Sequence, residues 1–403
     1  MAIRPVIVVL HRWAGLVMAA FLVVVGLTGA LLAFDTSLER WINPQLFVAE
    51  RPGQPRLDLA SLAEHAEAAE PHARVGYFSI PVKDEVMVAM GPRKDPATGK
   101  PYPLTFNHIF LDPYTGRELG RRQDGDLRQG RINFVPFLFQ LHTSLATGET
   151  GAWILGVVAL IWTLDCIWSV YLTFPMRWQG FPGRWRLSWG VKWPASPFRL
   201  NFDLHRASGL WLWPMLFVFA WSSVMFNLSP VYQPVMTALF GLTPFEKQIA
   251  TRHPPHPLES PPLGWRRAQA LGEQYVAQEA ARAGLKVHRP FGLGYSSLPG
   301  VYIYDVRTSG DVGGRTWETG VWIDPVTGAL QKTFLPRDAT PGDRIGTWLY
   351  ALHWADFHDS MTYRVFVALL GLVIAGLSGT GVYIWLVQRH ARTLRRKTEE
   401  TTP

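Results

Sequence analysis

The chain has 403 residues, of which 48% are hydrophobic, with a formal net charge of +8 and a single cysteine. One cysteine excludes a disulfide scaffold, and the lack of a Cys-x-x-Cys-His run excludes covalent c-type haem. The hydrophobic residues concentrate in four stretches, each near the roughly 20 residues that cross a bilayer core. These stretches are residues 6–34, 152–174, 208–228 and 365–387. The sequence therefore predicts an α-helical membrane protein with four transmembrane helices.

The basic residues predict the orientation of the chain in the membrane, because Lys and Arg concentrate in the cytoplasmic flanks of spans. They cluster between the second and third stretches and after the fourth, and Arg4 precedes the first. Both termini are then cytoplasmic. An apolar run after an arginine also begins a secretory signal, but this run is longer than a signal's apolar region and predicts an uncleaved anchor. Since topology accounts for the net charge, we expect contact with membrane lipid and no nucleic acid partner.

The predicted segments follow one another in two similar halves. In chain order they are transmembrane helix 1 (6–34), outer lobe 1 (44–130), a pre-span helix with transmembrane helix 2 (132–174), a basic cytoplasmic loop (175–203), transmembrane helix 3 (204–228), outer lobe 2 (230–344), a pre-span helix with transmembrane helix 4 (346–388) and a basic cytoplasmic tail (389–403).

Each outer lobe is predicted to be a small α+β unit. Apolar residues on one helical face predict helices over 57–69 and 265–283. Alternating apolar residues predict strands, and two of these strands enter Asp-Pro-x-Thr-Gly turns that begin at Asp112 and Asp324. The predicted strands cover residues 85–90, 109–112, 300–306 and 321–324.

The two halves also repeat a histidine motif. Leu-His-Arg opens an apolar stretch at His11 and again at His205, and Leu-His precedes another at His142 and His353. The two turns are 212 positions apart (112 to 324), and the second histidine pair is 211 apart (142 to 353). This spacing predicts two parallel repeats about an axis along the membrane normal. Histidines repeated at the heads of hydrophobic helices indicate a symmetric site.

These motifs resemble the PepSY-associated transmembrane family over nearly the whole chain. The resemblance rests on the two Leu-His-Arg-x-x-Gly-Leu openings, the Asp-Pro-x-Thr-Gly lobes and the two later Leu-His segments. The family includes inner-membrane ferric-siderophore reductases, which are similar to di-haem b cytochromes with two periplasmic PepSY lobes. The resemblance implies a protein of the bacterial inner membrane with two periplasmic lobes, two b haems and a ferric siderophore as electron acceptor.

The histidines are the candidate haem ligands, because a b-type haem needs two neutral imidazoles facing each other from rigid helices. Parallel spans place His11 opposite His205 near the cytoplasmic face and His142 opposite His353 near the periplasmic face. His358 is a rival to His353. A single histidine at a span end is better explained by hydrogen bonds to headgroups, but four at repeat-related positions favour ligation.

Four charged residues are secondary candidates. Arg12, Arg206 and Arg364 are candidate partners of haem propionates. Topology alone also explains Arg12 and Arg206, which lie on the cytoplasmic flank, whereas Arg364 lies near the outer end of the fourth span. Asp165 lies in the middle of the second span, where a carboxyl group is costly. Its counterpart in the other half is apolar, which indicates a role specific to one half: relaying a proton, tuning a haem or bonding a neighbouring helix.

The leading hypothesis is a cytochrome b that passes electrons to a periplasmic ferric siderophore and thereby releases Fe(II). The sequence contains no G-x-G-x-x-G after a strand, so the electron donor must be separate, either a quinol or a flavin reductase. The alternative is a non-enzymatic PepSY-type binding or regulatory membrane protein with structural histidines. A transporter is disfavoured because four spans are few and no span is expected to be broken.

Overall fold

The structure is a computed structural model that describes residues 3–80, 82, 84–244, 258–297, 299–315, 318–358 and 360–401, with side chains described up to residue 394. The chain forms two compact units. The helical unit contains Met1–Ala33, Leu138–Tyr232 and Thr362–Pro403, and the β-rich unit contains Phe34–Phe137 and Gln233–Met361.

Twelve α-helices lie within the described residues. They are α1 (Ile3–Leu32), α2 (Asp35–Ile42), α3 (Leu59–Ala69), α4 (Phe134–Ser144), α5 (Glu149–Thr173), α6 (Phe181–Trp185), α7 (Pro197–Trp211), α8 (Trp213–Asn227), α9 (Ser229–Phe240), α10 (Trp265–Ala283), α11 (Pro341–His353) and α12 (Met361–Thr401). Short 3-10 helices cover Pro44–Leu46, Leu127–Asn133 and Arg186–Trp189.

Nine β-strands lie within the same residues. They are β1 (Ala73–Val75), β2 (Tyr77–Ser79), β3 (Met87–Pro92), β4 (His108–Leu111), β5 (Glu118–Arg122), β6 (Val287–Ser296), β7 (Val301–Thr308), β8 (Thr319–Ile323) and β9 (Leu330–Phe334). The helices predicted over 57–69 and 265–283 are present as α3 and α10, and all four predicted strands are present with shifted ends.

Within the described residues, three helices are long and apolar enough to cross a membrane, namely α1, α5 and α12. The third predicted span differs from these. Residues 204–228 form the end of α7 and all of α8, which are bent by 70° at a break. Pro214 in the first turn of α8 lacks a backbone N–H and disfavours helical geometry in the residue before it. The segment predicted as transmembrane helix 3 (204–228) is thus divided between two helices, which are long and apolar enough for a span only when taken as one bent pair. The expectation that no span is broken is wrong for this segment.

Two contacts show how α1 packs in the helical unit. The Arg4 guanidinium donates to the carbonyl oxygens of Leu172 at 2.6 Å and Phe174 at 3.0 Å, so the start of α1 meets the end of α5 and the two helices are antiparallel. Farther along α1, Gly26 approaches Gly371 of α12 so closely that a Cβ on Gly26 would lie 2.6 Å from the Gly371 carbonyl oxygen. Small residues permit such close approach between membrane helices.

The β-rich unit contains two antiparallel sheets, with strand orders β1-β3-β4-β5 and β2-β6-β7-β8-β9. Strand β2 belongs to the first predicted lobe by sequence but pairs with β6 of the second lobe, with Phe78 opposite Leu293. One hydrophobic core joins both sheets to α3 and α10. The two predicted α+β lobes are therefore present as sheets and helices, but they form one compact unit rather than two separate ones.

The two Asp-Pro-x-Thr-Gly turns have the same local geometry. Asp112 Oδ1 accepts hydrogen bonds from the N–H groups two and three residues later, at 2.8 and 3.2 Å. Asp324 Oδ1 does the same at 2.9 and 2.8 Å. Gly116 and Gly328 end the turns with φ angles of 69° and 74°, a conformation that glycine adopts without steric cost. The shared sequence motif thus encodes a shared turn.

A buried carboxyl group lies where β2 joins the second sheet. The hydroxyl of Tyr77 on β2 donates to Asp305 of β7 at 2.8 Å, and Asp305 is 2% exposed. Burial raises the pKa of Asp305 from 3.8 to about 7, and its bond with Tyr77 opposes that shift. The folded unit therefore holds a proton that the unfolded chain releases above about pH 4.

This proton predicts the pH dependence of stability. Because the folded state binds more protons between about pH 4 and 7, the free energy of unfolding falls as the pH rises through that window. We expect Asp305→Asn to reduce this dependence, by about 1.4 kcal/mol for each pKa unit removed. Urea unfolding at pH 5 and pH 7, followed by tryptophan fluorescence, measures it. Asp338→Asn, at an exposed aspartate, is the control, and equal pH dependence in the two variants would contradict the assignment.

Candidate functional site

His11 on α1 and His205 on α7 lie together inside the helical unit. Their ring centroids are 6.3 Å apart, and the ring planes are inclined by 58°. Two imidazole nitrogens that bind one metal ion from opposite sides at about 2 Å each place the ring centroids roughly 6 Å apart. The spacing of the two rings therefore fits a shared metal ion between them.

Hydrogen bonds hold each ring by the same nitrogen, Nδ1. His11 Nδ1 lies 2.9 and 3.1 Å from the two carboxylate oxygens of Asp165 on α5. His205 Nδ1 lies 2.9 Å from the hydroxyl of Thr380 on α12, and that hydroxyl donates its own hydrogen to the carbonyl oxygen of Leu377. Nδ1 is therefore the donor in both rings. The tautomer with Nδ1–H leaves the Nε2 lone pair available, as a metal-binding imidazole requires.

The helix surface one turn beyond each histidine is open. Gly15 follows His11 by four positions and Gly209 follows His205 by four, so each glycine shares a helix face with its histidine. A Cβ at either glycine would meet no atom within 4 Å. Each ring is thus accompanied by open space on its own helix face, and a haem held by His11 and His205 would need such space.

His142 on α4 is held in the same way at the other end of α1. Its Nδ1 lies 3.0 Å from the hydroxyl of Thr28, which donates to the carbonyl oxygen of Val24 at 2.8 Å. The ring lies against Gly29, where a Cβ would come within 2.9 Å of Cε1. His11 and Thr28 are 17 positions apart on one continuous helix (11 to 28), or about 25 Å. The separation of the two histidine sites is therefore close to the thickness of a bilayer core, which is about 30 Å.

His353 and its rival His358 lie in the β-rich unit. His353 is the last residue of α11. His358 lies beyond the helix, and its ring centroid is 4.4 Å from that of Phe357 in an edge-on arrangement. Ala355 and His358 have φ angles of 52° and 49°, which cost strain in a residue with a Cβ. His142 and His353 belong to different units, so their pairing stays a prediction.

The comparison with protein families agrees with the motifs. A family model described as the PepSY-associated TM region matches residues 8–388. The chain belongs to this family. Among curated proteins, none matches it.

The arginines of this PepSY-associated protein have different surroundings. Arg206 forms an ion pair with Asp203 at 2.9 Å and donates to three backbone carbonyl oxygens in the segment Leu187–Gly190, so it holds the basic loop against α7. Arg12 follows His11 on α1, and Arg364 lies in the first turn of α12. Their proposed contacts with propionates stay predictions, and Arg206 has a structural function in addition.

Two residues that bond the candidate histidines of this PepSY-associated protein were not predicted from the sequence. Thr28 and Thr380 accept from the histidine rings, and both lie in apolar helices beside glycine, as Thr28-Gly29 and Gly379-Thr380-Gly381. The sequence signal that could have identified these two threonines is a polar residue next to glycine inside an apolar helix. Asp165 bonds His11 of the neighbouring helix α1, which agrees with one of the three roles predicted for it.

Proposed function

We propose that the protein is an inner-membrane b-type cytochrome with two haems that passes electrons to a periplasmic ferric siderophore and so releases Fe(II) for iron uptake. The observation that carries the proposal is the pair His11 and His205, with 6.3 Å between ring centroids and Nδ1 of each ring bonded to a partner. Family membership supports it, because the family resembled in sequence includes such reductases.

The protein's own residues hold and separate the two haem sites. His11 and His205 would hold the inner haem, and His142 and His353 the outer one. A bound haem supplies a one-electron carrier at each site. Asp165, Thr380 and Thr28 bond the Nδ1 atoms of His11, His205 and His142, which leaves Nε2 of each ring as the nitrogen that would bind iron. Helix α1 contributes to both sites and sets their separation along the membrane normal.

The electron donor and the electron acceptor would bind at opposite faces of the protein. The donor is a separate quinol or flavin reductase at the cytoplasmic side, where the basic loop and tail lie. The acceptor is a ferric siderophore at the β-rich unit on the periplasmic side. Siderophores bind Fe(III) through hard oxygen ligands, and the reduction of iron weakens its binding by such ligands. Electron transfer alone therefore releases the iron, and no acid or base residue is required.

The first test is the spectrum of the purified protein. We expect a red preparation with two b haems per chain by pyridine haemochrome assay, and a Soret band that shifts on dithionite reduction. Two haems are expected because the chain has two histidine sites about 25 Å apart along α1. A colourless preparation that also fails to bind added haem would contradict the proposal and favour a PepSY-type binding or regulatory protein.

A further inference from the structure

We propose that Asp165 is a positioning residue that makes the inner haem the one with the lower reduction potential, so that electrons pass outward. The inference rests on the proposed function. It starts from a difference between two otherwise matched histidines: His11 bonds a carboxylate, while His205 in the same site bonds a hydroxyl.

The described hydrogen bonds of the Asp165 side chain go to one residue, His11. It lies in the membrane-crossing helix α5, is 7% exposed, and both of its oxygens approach one atom, His11 Nδ1. A carboxyl group at membrane depth is costly unless it is paired. A hydroxyl would satisfy the same imidazole N–H, as Thr380 does for His205 and Thr28 for His142. The carboxylate therefore adds something beyond ring orientation.

The Asp165 carboxylate adds negative charge beside His11, the candidate haem ligand. A carboxylate that accepts from Nδ1–H draws the proton away from the imidazole and makes Nε2 a stronger electron donor. A stronger donor stabilises the oxidised iron relative to the reduced iron, because the oxidised iron carries one more positive charge. The potential of the inner haem is lowered as a result.

At the outer site, the candidate ligand in the helical unit is His142, and its partner Thr28 is neutral. His142 donates to the hydroxyl of Thr28, whose own hydrogen bonds the Val24 carbonyl oxygen. The carboxylate that bonds a candidate haem ligand of the helical unit thus lies at the inner end of α1, near the proposed cytoplasmic electron donor. An inner haem of lower potential gives electrons a downhill step toward the periplasmic face, which is the direction that the proposed function requires.

The test is the variant Asp165→Asn, measured by spectroelectrochemical redox titration of the purified protein. The amide oxygen accepts the same Nδ1–H bond without the charge, so both haems should remain bound. We expect the oxidised-to-reduced ratio of one haem to fall about tenfold at a fixed potential, a rise of about 59 mV for a one-electron couple. The other haem should be unchanged.

Two further variants sharpen the result. Asp165→Glu keeps the carboxylate and should have a potential nearer to the wild type than Asp165→Asn. Thr380→Val removes a neutral bond from His205 in the same site and should produce a smaller shift than Asp165→Asn. Unchanged potentials in Asp165→Asn would overturn the proposal, and so would loss of the haem from both Asp165 variants. A wild type without haem would overturn the proposed function itself.

Discussion

The variant His205→Ala should contain one haem per chain where the wild type contains two. The ring centroids of His205 and His11 are 6.3 Å apart, so alanine would remove one of the two proposed ligands of the inner haem and leave a cavity in place of the ring. A haem held by a single histidine does not persist as a six-coordinate low-spin species. The pyridine haemochrome assay measures the loss, and the absorption and EPR spectra of the remaining haem report the outer site.

Other histidine variants separate ligands from bystanders. His72→Ala, at a side chain that is 60% exposed in the β-rich unit, is the matched control and should retain both haems. His142→Ala should remove the outer haem. Retention of both haems in His353→Ala, with loss of one in His358→Ala, would assign the outer ligand to His358. Two haems in His205→Ala would contradict the inner pairing.

The inner pair could be predicted from the sequence because its information is local and repeated. The Leu-His-Arg motif occurs at His11 and at His205, in each case just before or within the start of a hydrophobic stretch. Duplication then predicts that the two histidines face each other. The structure brings these two rings together, so for this pair a linear pattern was sufficient.

The hydrogen-bond partners could not be predicted, because they depend on how each helix is rotated about its axis. Asp165 is 154 positions from His11, and Thr380 is 175 from His205. Hydropathy identifies a span without indicating which of its faces meets which neighbour. A polar residue inside a span was recognised as costly, but its partner required the packed bundle.

The sequence did not predict the helix break at Leu212 or the pairing of β2 with β6, for two different physical reasons. Pro214 lies within an apolar run, and composition alone treats a run with one proline as continuous. Strand β2 is three residues long, belongs to the first lobe by sequence and pairs with β6 of the second lobe. This non-local pairing depends on the core that the two sheets share, and no local pattern indicates it. Local periodicity indicates that a strand exists, whereas its partner depends on tertiary packing.

The variant Gly26→Ala should destabilise the helical unit. Alanine is the better helix former by about 1 kcal/mol, so helix propensity alone predicts a gain in stability. The added Cβ would lie 2.6 Å from the carbonyl oxygen of Gly371, which is backbone and cannot rotate away. Helices α1 and α12 must then separate, and such overpacking costs about 1–3 kcal/mol. We expect a lower midpoint of thermal unfolding in detergent, and a greater loss for Gly26→Leu.

The control for this packing is on α12 itself. A Cβ on Gly379 would meet nothing within 4 Å, so Gly379→Ala should match or exceed the wild type in unfolding temperature. Gly371→Ala places its Cβ 2.5 Å from the Gly26 carbonyl oxygen and relies on the same approach of the two helices. The double variant Gly26→Ala/Gly371→Ala should therefore lose less than the sum of the two single losses, because one separation relieves both clashes. Additive losses, or a stable Gly26→Ala, would show that the two helices do not meet at these glycines.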